Sequence, residues 1–519
     1  MRPVALLLLC LATCAGLGAV GAAQQPRLRM QPITVSAAPA EGAANGGLGP
    51  SSGPERFSGY FKLNRTYDAH MFFFYFQARV EPENAPVVLW MTGGPGCSSE
   101  LAVFFENGPW NINKDLTLTE TKYGWDAHAH MIFVDQPINT GFSYSEDPRD
   151  RCYDEACVSN DMVDFLSEFF KARPELQDRE FFVTGESYAG HYVPAVASRV
   201  FHASRSGEVV PPINLQGLAI GNGLTDPAIQ YGAYSDYALM NGLIGQGMHS
   251  SLKMLYPVCR LALNICDGLD WSFECLLAVE VCQITQFAPI MAVNPDMNVY
   301  DIRKKCEGPL CYREFEILDD FLNQDSVRKE LGVGDREWEA CNMDVHSDMM
   351  ADWGHNFDTV LPELLAAGVR VMIYVGDQDL ICNWVGNKQW VDALPWAGAA
   401  RWSAAAEKPW IVRGKQAGTV QAVGPLSFVR VHQAGHMVPM DQGLHGLDMI
   451  TRFTRNMPLA ADDDEQTASS TTSAAEEQPR PAASEVEVGL MKRGAGEQTI
   501  LAGATWQIRR AQPGGHGEQ

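Results

Sequence analysis

Five short apolar runs, each stopped by glycine, aspartate or proline, constrain this chain more than any other feature. They read "HMIFVDQP" (130–137), "EFFVTGES" (180–187), "LQGLAIGNG" (215–223), "GVRVMIYVGD" (368–377) and "LSFVRVHQAGH" (426–436). Runs of this length that are apolar throughout suit strands buried on both faces. Between them, residues 159–174 place Met162, Phe165, Leu166, Phe169 and Phe170 on one helical face, and Pro174 stops the run. Strand, helix, strand is the α/β pattern, and it implies a central, mostly parallel sheet. Upstream, "MFFFYFQARV" (71–80) and "APVVLWMTGG" (85–94) read as two strands paired with each other, ending in a glycine turn. Residues of about 224–345 break the rhythm with long helical stretches and many cysteines, which reads as an inserted subdomain.

The ends have a different texture. "MRPVALLLLCLATCAGLGAVGAAQQ" has the form of a secretory signal peptide over residues 1–23, cleaved near Ala23. Residues 24–55, rich in Ala, Gly, Pro and Ser, read as a flexible pro-segment or linker. The folded region runs over 56–458, and residues 459–519 read as a disordered tail. No other stretch reads as long and apolar enough to span a bilayer, and no internal repeat is found. The formal net charge of −24 argues against nucleic-acid binding through a basic surface. Of thirteen cysteines, Cys10 and Cys14 fall in the leader, and the remaining eleven are odd in number, so at least one stays unpaired. No Cys-x-x-Cys occurs, so zinc and redox sites are disfavoured and disulfides in an oxidising lumen are expected. The single Asn-x-Ser/Thr sequon, at Asn64, fits the same route. A vacuole- or lysosome-like compartment, or the extracellular space, is the expected destination.

The chemistry gathers where the apolar runs end. In "FFVTGESYAGHYVP" a strand enters Gly-x-Ser-x-Gly and a helix leaves it, an arrangement that lifts the Ser187 hydroxyl clear and turns the next amide toward an oxyanion. A serine nucleophile needs a base and a group to orient that base. Asp377 and Asp379 follow one strand, and His432 and His436 follow another. The order Ser, Asp, His is that of α/β-hydrolases, and each candidate lies just past a strand's carboxyl end. Pattern alone does not choose between the two aspartates or the two histidines. Glu186, directly before the serine, disfavours an alkoxide there unless its carboxyl has another task.

With "LWMTGGPGCSSELAVFFENGPW", "VDQPINTGFSYS", "GESYAGHYVP", "IGNGLTDP", "DLICNW" and "AGHMVPMDQ" in this order, the chain resembles the serine carboxypeptidases (peptidase family S10) over about residues 56–456. It is most similar to the plant vacuolar III-like branch and more distantly to carboxypeptidase Y. The resemblance implies an α/β-hydrolase fold with an inserted helical, disulfide-containing cap. It implies Ser187 as nucleophile, Asp379 as orienting carboxylate and His436 as base, with the Gly94 and Tyr188 amides as oxyanion hole. Trp90, Thr92, Gly93, Glu106 and Glu186 take the family positions that hold the substrate's terminal carboxylate. Thr92 departs from the asparagine of carboxypeptidase Y-like members, and a hydroxyl lacks the amide's reach. Protonated glutamic acids donate hydrogen bonds, so Glu106 and Glu186 suit carboxylate binding at acid pH. Leu101, Phe105 and Met437 match positions lining an apolar pocket, with Cys382 nearby as the free thiol. The implied disulfides are Cys97–Cys341, Cys259–Cys282, Cys266–Cys275 and Cys306–Cys311, leaving Cys152–Cys157 to pair locally. The activity implied is release of C-terminal residues from peptides and proteins at acid pH through an acyl-enzyme, without cofactor or metal. The alternatives are an acyltransferase, against which Glu186 argues because such relatives often carry aspartate there, and a partner-binding protein. Monomer and homodimer both remain open.

Overall fold

The computed structural model describes residues 29–32, 53–269 and 272–460. The signal peptide, most of the expected linker and nearly all of the expected tail lie outside the described residues. The strands are β1 (Arg29–Pro32), β2 (Arg56–Lys62), β3 (His70–Phe76), β4 (Val87–Met91), β5 (Trp110–Ile112), β6 (Leu118–Glu120), β7 (His130–Val134), β8 (Phe181–Glu186), β9 (Leu215–Gly221), β10 (Arg370–Gly376), β11 (Lys408–Val412), β12 (Lys415–Val423) and β13 (Leu426–Val431). Eleven of them form one sheet in the order β1-β2-β3-β7-β4-β8-β9-β10-β13-β12-β11. The central run from β7 to β13 is parallel, and antiparallel strands extend both edges. This is the α/β-hydrolase arrangement that the resemblance implies.

Two details differ from the sequence reading. β3 and β4 are not neighbours, because β7 inserts between them, antiparallel to β3 and parallel to β4. Both strands are apolar on both faces, so either pairing satisfies burial, and the local sequence carries no register signal. In addition β1, within the segment read as a linker, pairs antiparallel with β2.

Alternation along the strands fills two cores. Met71, Phe73 and Tyr75 of β3 face one side with Leu89, Val183 and Ile373. Phe72, Phe74 and Phe76 face the other with Trp90, Phe182 and Met372. Each such side chain contributes roughly 2 kcal/mol by leaving water. Helices α2 (Glu155–Ala172) and α3 (Ala189–Ser206) cover the first side, burying Phe165, Phe169, Val193 and Val196. Asp154 caps α2 by accepting from the Cys157 amide at 2.8 Å, and Pro174 follows its end.

Between β9 and β10 the described chain is helical, with no strand. Here lie the helix Gln246–Leu269 and the helical run Ser272–Val293, tied together by Cys259–Cys282 and Cys266–Cys275 around a third apolar cluster. The run Ser272–Val293 is long and apolar enough to cross a membrane by length and composition, which corrects the expectation that no stretch beyond the leader is. Its buried residues, Cys275, Ala278, Val279, Cys282, Gln286 and Ile290, face into the insertion.

Candidate active site

Four parallel strands end at one edge of the sheet, and each hands a polar residue to it. Ser187 follows β8, Asn222 follows β9, Asp379 follows β10, and His436 follows β13. The strands stand in adjacent positions, so residues far apart in sequence meet at a common carboxyl edge. Ser187 sits in a left-handed conformation, φ 69°, between β8 and α3. Three backbone hydrogen bonds hold it there: its amide donates to Gly221 O at 3.1 Å, and its carbonyl accepts from Gly190 N at 2.9 Å and Leu224 N at 3.0 Å. The turn also needs glycines around it. A Cβ on Gly185 would lie 2.4 Å from Met91 O, and one on Gly93 would lie 2.3 Å from the Tyr188 nitrogen.

The open choices among aspartates and histidines are decided by contact. His436 Nδ1 lies 2.8 Å from Asp379 Oδ2, with both residues buried. Asp377 instead accepts from the Gln433 amide and the Gln378 side chain, and His432 is a partly exposed residue whose amide bonds Ala417 O. Asp379 also accepts from Ile381 N at 3.1 Å, Cys382 N at 3.2 Å and Asn222 Nδ2 at 2.8 Å. An ionised carboxylate only accepts, so the ring proton of His436 sits on Nδ1 and Nε2 is left bare. His436 Nε2 is buried without a protein partner. The Ser187 hydroxyl makes no hydrogen bond to it here, and such contacts commonly tighten only with substrate bound.

On the Gly93 side, neither the Gly94 nor the Tyr188 amide donates a hydrogen bond among the described residues. Both donors are therefore available to an oxyanion. Glu106, at the end of α1 (Glu100–Phe105), and Glu186, at the end of β8, are buried and share a hydrogen bond. Burial pushes the Glu106 carboxyl up to about 8, and burial together with Glu106 pushes Glu186 well above its ordinary range. Each keeps one buried oxygen, Oε2, without a partner. The pair is a proton-holding device with unused hydrogen-bonding capacity beside a serine.

These observations meet an independent one: a family model described as serine carboxypeptidase matches residues 49–456. The chain belongs to the serine carboxypeptidase family. It is similar to serine carboxypeptidase 3 of Oryza sativa subsp. japonica, 48% identical over 398 residues that cover 77% of this chain and 79% of that protein. It is also similar to carboxypeptidase Y homolog A of Trichophyton equinum, 38% identical over 421 residues, covering 79% and 75%. Among solved structures it resembles Kex1, a prohormone-processing carboxypeptidase from Saccharomyces cerevisiae, with a TM-score of 0.71 and 25% identity, covering 80% of this chain and 94% of that one. As a member of this family the chain is a serine-type carboxypeptidase hydrolase.

The remaining serine-carboxypeptidase positions fall as follows. Trp90 is wholly buried, and its indole N–H donates to Thr92 Oγ1 at 3.0 Å. Trp90 therefore orients Thr92 in this structure and offers no free donor itself. Because indole nitrogen only donates, the Thr92 hydroxyl accepts there and keeps its own hydrogen to give to a ligand. Leu101 and Met437 are buried in the second core, and half-buried Phe105 packs its ring 5.4 Å from Phe315. Cys382 is the free cysteine among the described residues; it is buried, and burial followed by the Asp379 charge keeps its thiol protonated. The four disulfides implied by the resemblance are present, and so is the local Cys152–Cys157 expected for the two cysteines left over. Asn64 is exposed in a turn, its side-chain amide donating to Glu168 at 2.9 Å. Among the described residues the groups spaced to hold a metal are Cys266, Cys275 and His355, and Cys152, Cys157 and Asp161. In each, both cysteines are joined in a disulfide, so neither group offers thiolates. Asn222 is the functional residue that sequence reasoning missed; it was visible only as part of "IGNGLTDP".

Proposed function

We propose that this chain removes single residues from the C-termini of peptides and proteins at acid pH, with a preference for apolar residues, in an acidic lumen of the secretory pathway or outside the cell. Ser187 Oγ attacks the carbonyl carbon of the last peptide bond, and its proton passes to His436 Nε2. Negative charge on the carbonyl oxygen is met by the Gly94 and Tyr188 amides. The C–N bond then breaks, the proton goes to the departing amine, and an acyl-Ser187 remains. Water, activated by the same histidine, repeats the steps and frees the shortened chain.

The observation that carries this reading is the hydrogen-bonded Glu106–Glu186 pair adjoining the nucleophile. A protonated carboxyl pair can donate to a substrate carboxylate; an ionised pair repels it. The Thr92 hydroxyl adds a donor, and Leu101, Phe105 and Met437 favour an apolar last residue. The test is a rapid-mixing assay on a blocked dipeptide ester. Wild type is expected to give a burst of leaving group stoichiometric with enzyme, and Ser187→Ala to lose turnover by at least about 10³-fold while still binding peptide. A Ser187→Ala variant with near-normal turnover would sink the assignment. Transfer of acyl groups to alcohols with no peptide hydrolysis would favour acyltransfer instead.

A further inference from the structure

The tyrosine after the nucleophile is anchored far more heavily than its amide alone explains. Its side chain is 1% exposed. The ring stacks on His191 at 4.5 Å, leans on Trp353 at 5.4 Å and meets the edge of Tyr192 at 5.2 Å. Its hydroxyl donates to Asp352 Oδ2 at 2.8 Å. Asp352 is itself buried, at the head of a single 3-10 turn, Asp352–Gly354, and its Oδ1 accepts from the Glu155 amide at 3.3 Å.

The geometry points to Asp352 as a positioning residue for the reaction, holding the Tyr188 hydroxyl so that the Tyr188 amide stays aimed at the substrate oxyanion. This rests on the reading of that amide as an oxyanion donor. Ser187 lies in the left-handed region, φ 69°, and a residue there keeps its conformation only where its surroundings over-determine it. On one side Gly93 abuts the Tyr188 nitrogen closely enough to exclude a Cβ. On the other, the ring stack and Asp352 fix the far end of the side chain. An oxyanion donor works within a few tenths of an ångström, so slack at Tyr188 reaches the transition state directly.

The groups facing Asp352 are Tyr188 just before α3 with His191 and Tyr192 inside it, Asp154 and Glu155 from the start of α2, and His355 just after its own turn. Both Glu155 carboxylate oxygens are buried and unpartnered. Burial raises Asp352 to about 6, and burial together with Asp352 raises Glu155. One proton between the two acids leaves a sound acceptor for Tyr188. Ionising both drives two buried charges apart behind the nucleophile. The hold on Tyr188 therefore weakens only once pH rises far enough to ionise Glu155 as well as Asp352.

Four variants test this: Asp352→Ala, Asp352→Asn, Tyr188→Phe and the double variant Tyr188→Phe/Asp352→Ala. Asp352→Ala and Tyr188→Phe are each expected to lower kcat about tenfold or more, with KM within about twofold, since the loss falls on the oxyanion contact. Affinity for a peptide aldehyde, whose serine adduct places an oxyanion in the hole, should fall by the same factor. Affinity for a released amino acid should not move. The double variant should be no worse than either single one. Asp352→Asn keeps an acceptor, so it should restore most of kcat and carry the alkaline limb of kcat to higher pH. If Asp352→Ala does not fold, Tyr188→Phe, which deletes one hydroxyl, carries the test. Variants matching wild type in kcat and aldehyde affinity, or losing aldehyde and amino-acid binding equally, overturn the proposal. A wild-type enzyme that cleaves peptide yet ignores the aldehyde overturns the oxyanion reading of Tyr188, and the proposal with it.

Discussion

Asp379 gathers more donors than the task of orienting one imidazole requires. Two amides, the Asn222 side chain and His436 all point at it, and Asn222 is held in turn, with Oδ1 accepting from Gly376 N at 3.1 Å and its own amide bonding Tyr374 O at 2.9 Å. Removing that side chain leaves part of a buried acceptor unpaired and frees the carboxylate to turn. Asn222→Ala is therefore expected to cost about 2 kcal/mol, roughly 30-fold in kcat, with KM little changed. Steady-state kinetics on one blocked dipeptide decide it. Gly93→Ala should be harsher, because its Cβ would stand 2.3 Å from the Tyr188 nitrogen and push the oxyanion loop off the nucleophile turn. Activity should disappear while the far-ultraviolet circular dichroism stays native. Ser187 was legible because a strand, a Gly-x-Ser-x-Gly turn and a helix agree on one use for a serine. Asn222 was not, since an asparagine between two glycines after a strand has an ordinary use as a left-handed turn residue, which it also fills at φ 40°.

Among the elements, the link between the oxyanion loop and the far end of the helical insertion is the one to cut. Cys97, three residues past Gly94, is bonded to Cys341 across 244 residues. A closure of that length constrains the unfolded chain by about 5 kcal/mol in the chain-entropy account. Cys97→Ser/Cys341→Ser is expected to lower both Tm and kcat, whereas breaking Cys152–Cys157, separated by only five residues, should lower Tm less and leave kcat intact. Thermal melts with parallel rates check both. Strand identity was plain in the sequence, because runs such as residues 180–187 are apolar throughout and end at glycine. Strand neighbours were not. β3 and β4 are equally greasy on both faces, and nothing local announces that β7 comes between them.

For the whole molecule, raised carboxyls add a pH response that opposes the one from the buried histidines, which burial pushes down. Glu106 with Glu186 and Glu155 with Asp352 are two facing pairs on the segments that build the site, and Asp135, buried Asp161 and half-buried Asp358 add further raised acids. Burial raises Glu106 from 4.5 to about 8, and it raises Asp352 from 3.8 to about 6 and Asp161 and Asp358 from 3.8 to about 7. The folded state therefore holds more protons than the unfolded state between those values, and stability falls as pH rises through that window. This contribution is complete below the unfolded carboxyl values and is lost toward pH 8. Calorimetry should show Glu186→Gln gaining Tm relative to the wild type as pH rises from about 4.5 to about 8, because the variant has no Glu186 proton to lose.

The same titration ought to appear in substrate choice. The most direct measurement is kcat/KM for a blocked apolar dipeptide and for its C-terminal amide, from about pH 4 to about pH 8. If protonated Glu106 and Glu186 read the terminal carboxylate, the free acid is strongly preferred at low pH and its advantage shrinks as pH rises through the pair's titration. A preference that is absent at low pH, or that stays constant across the range, contradicts the account.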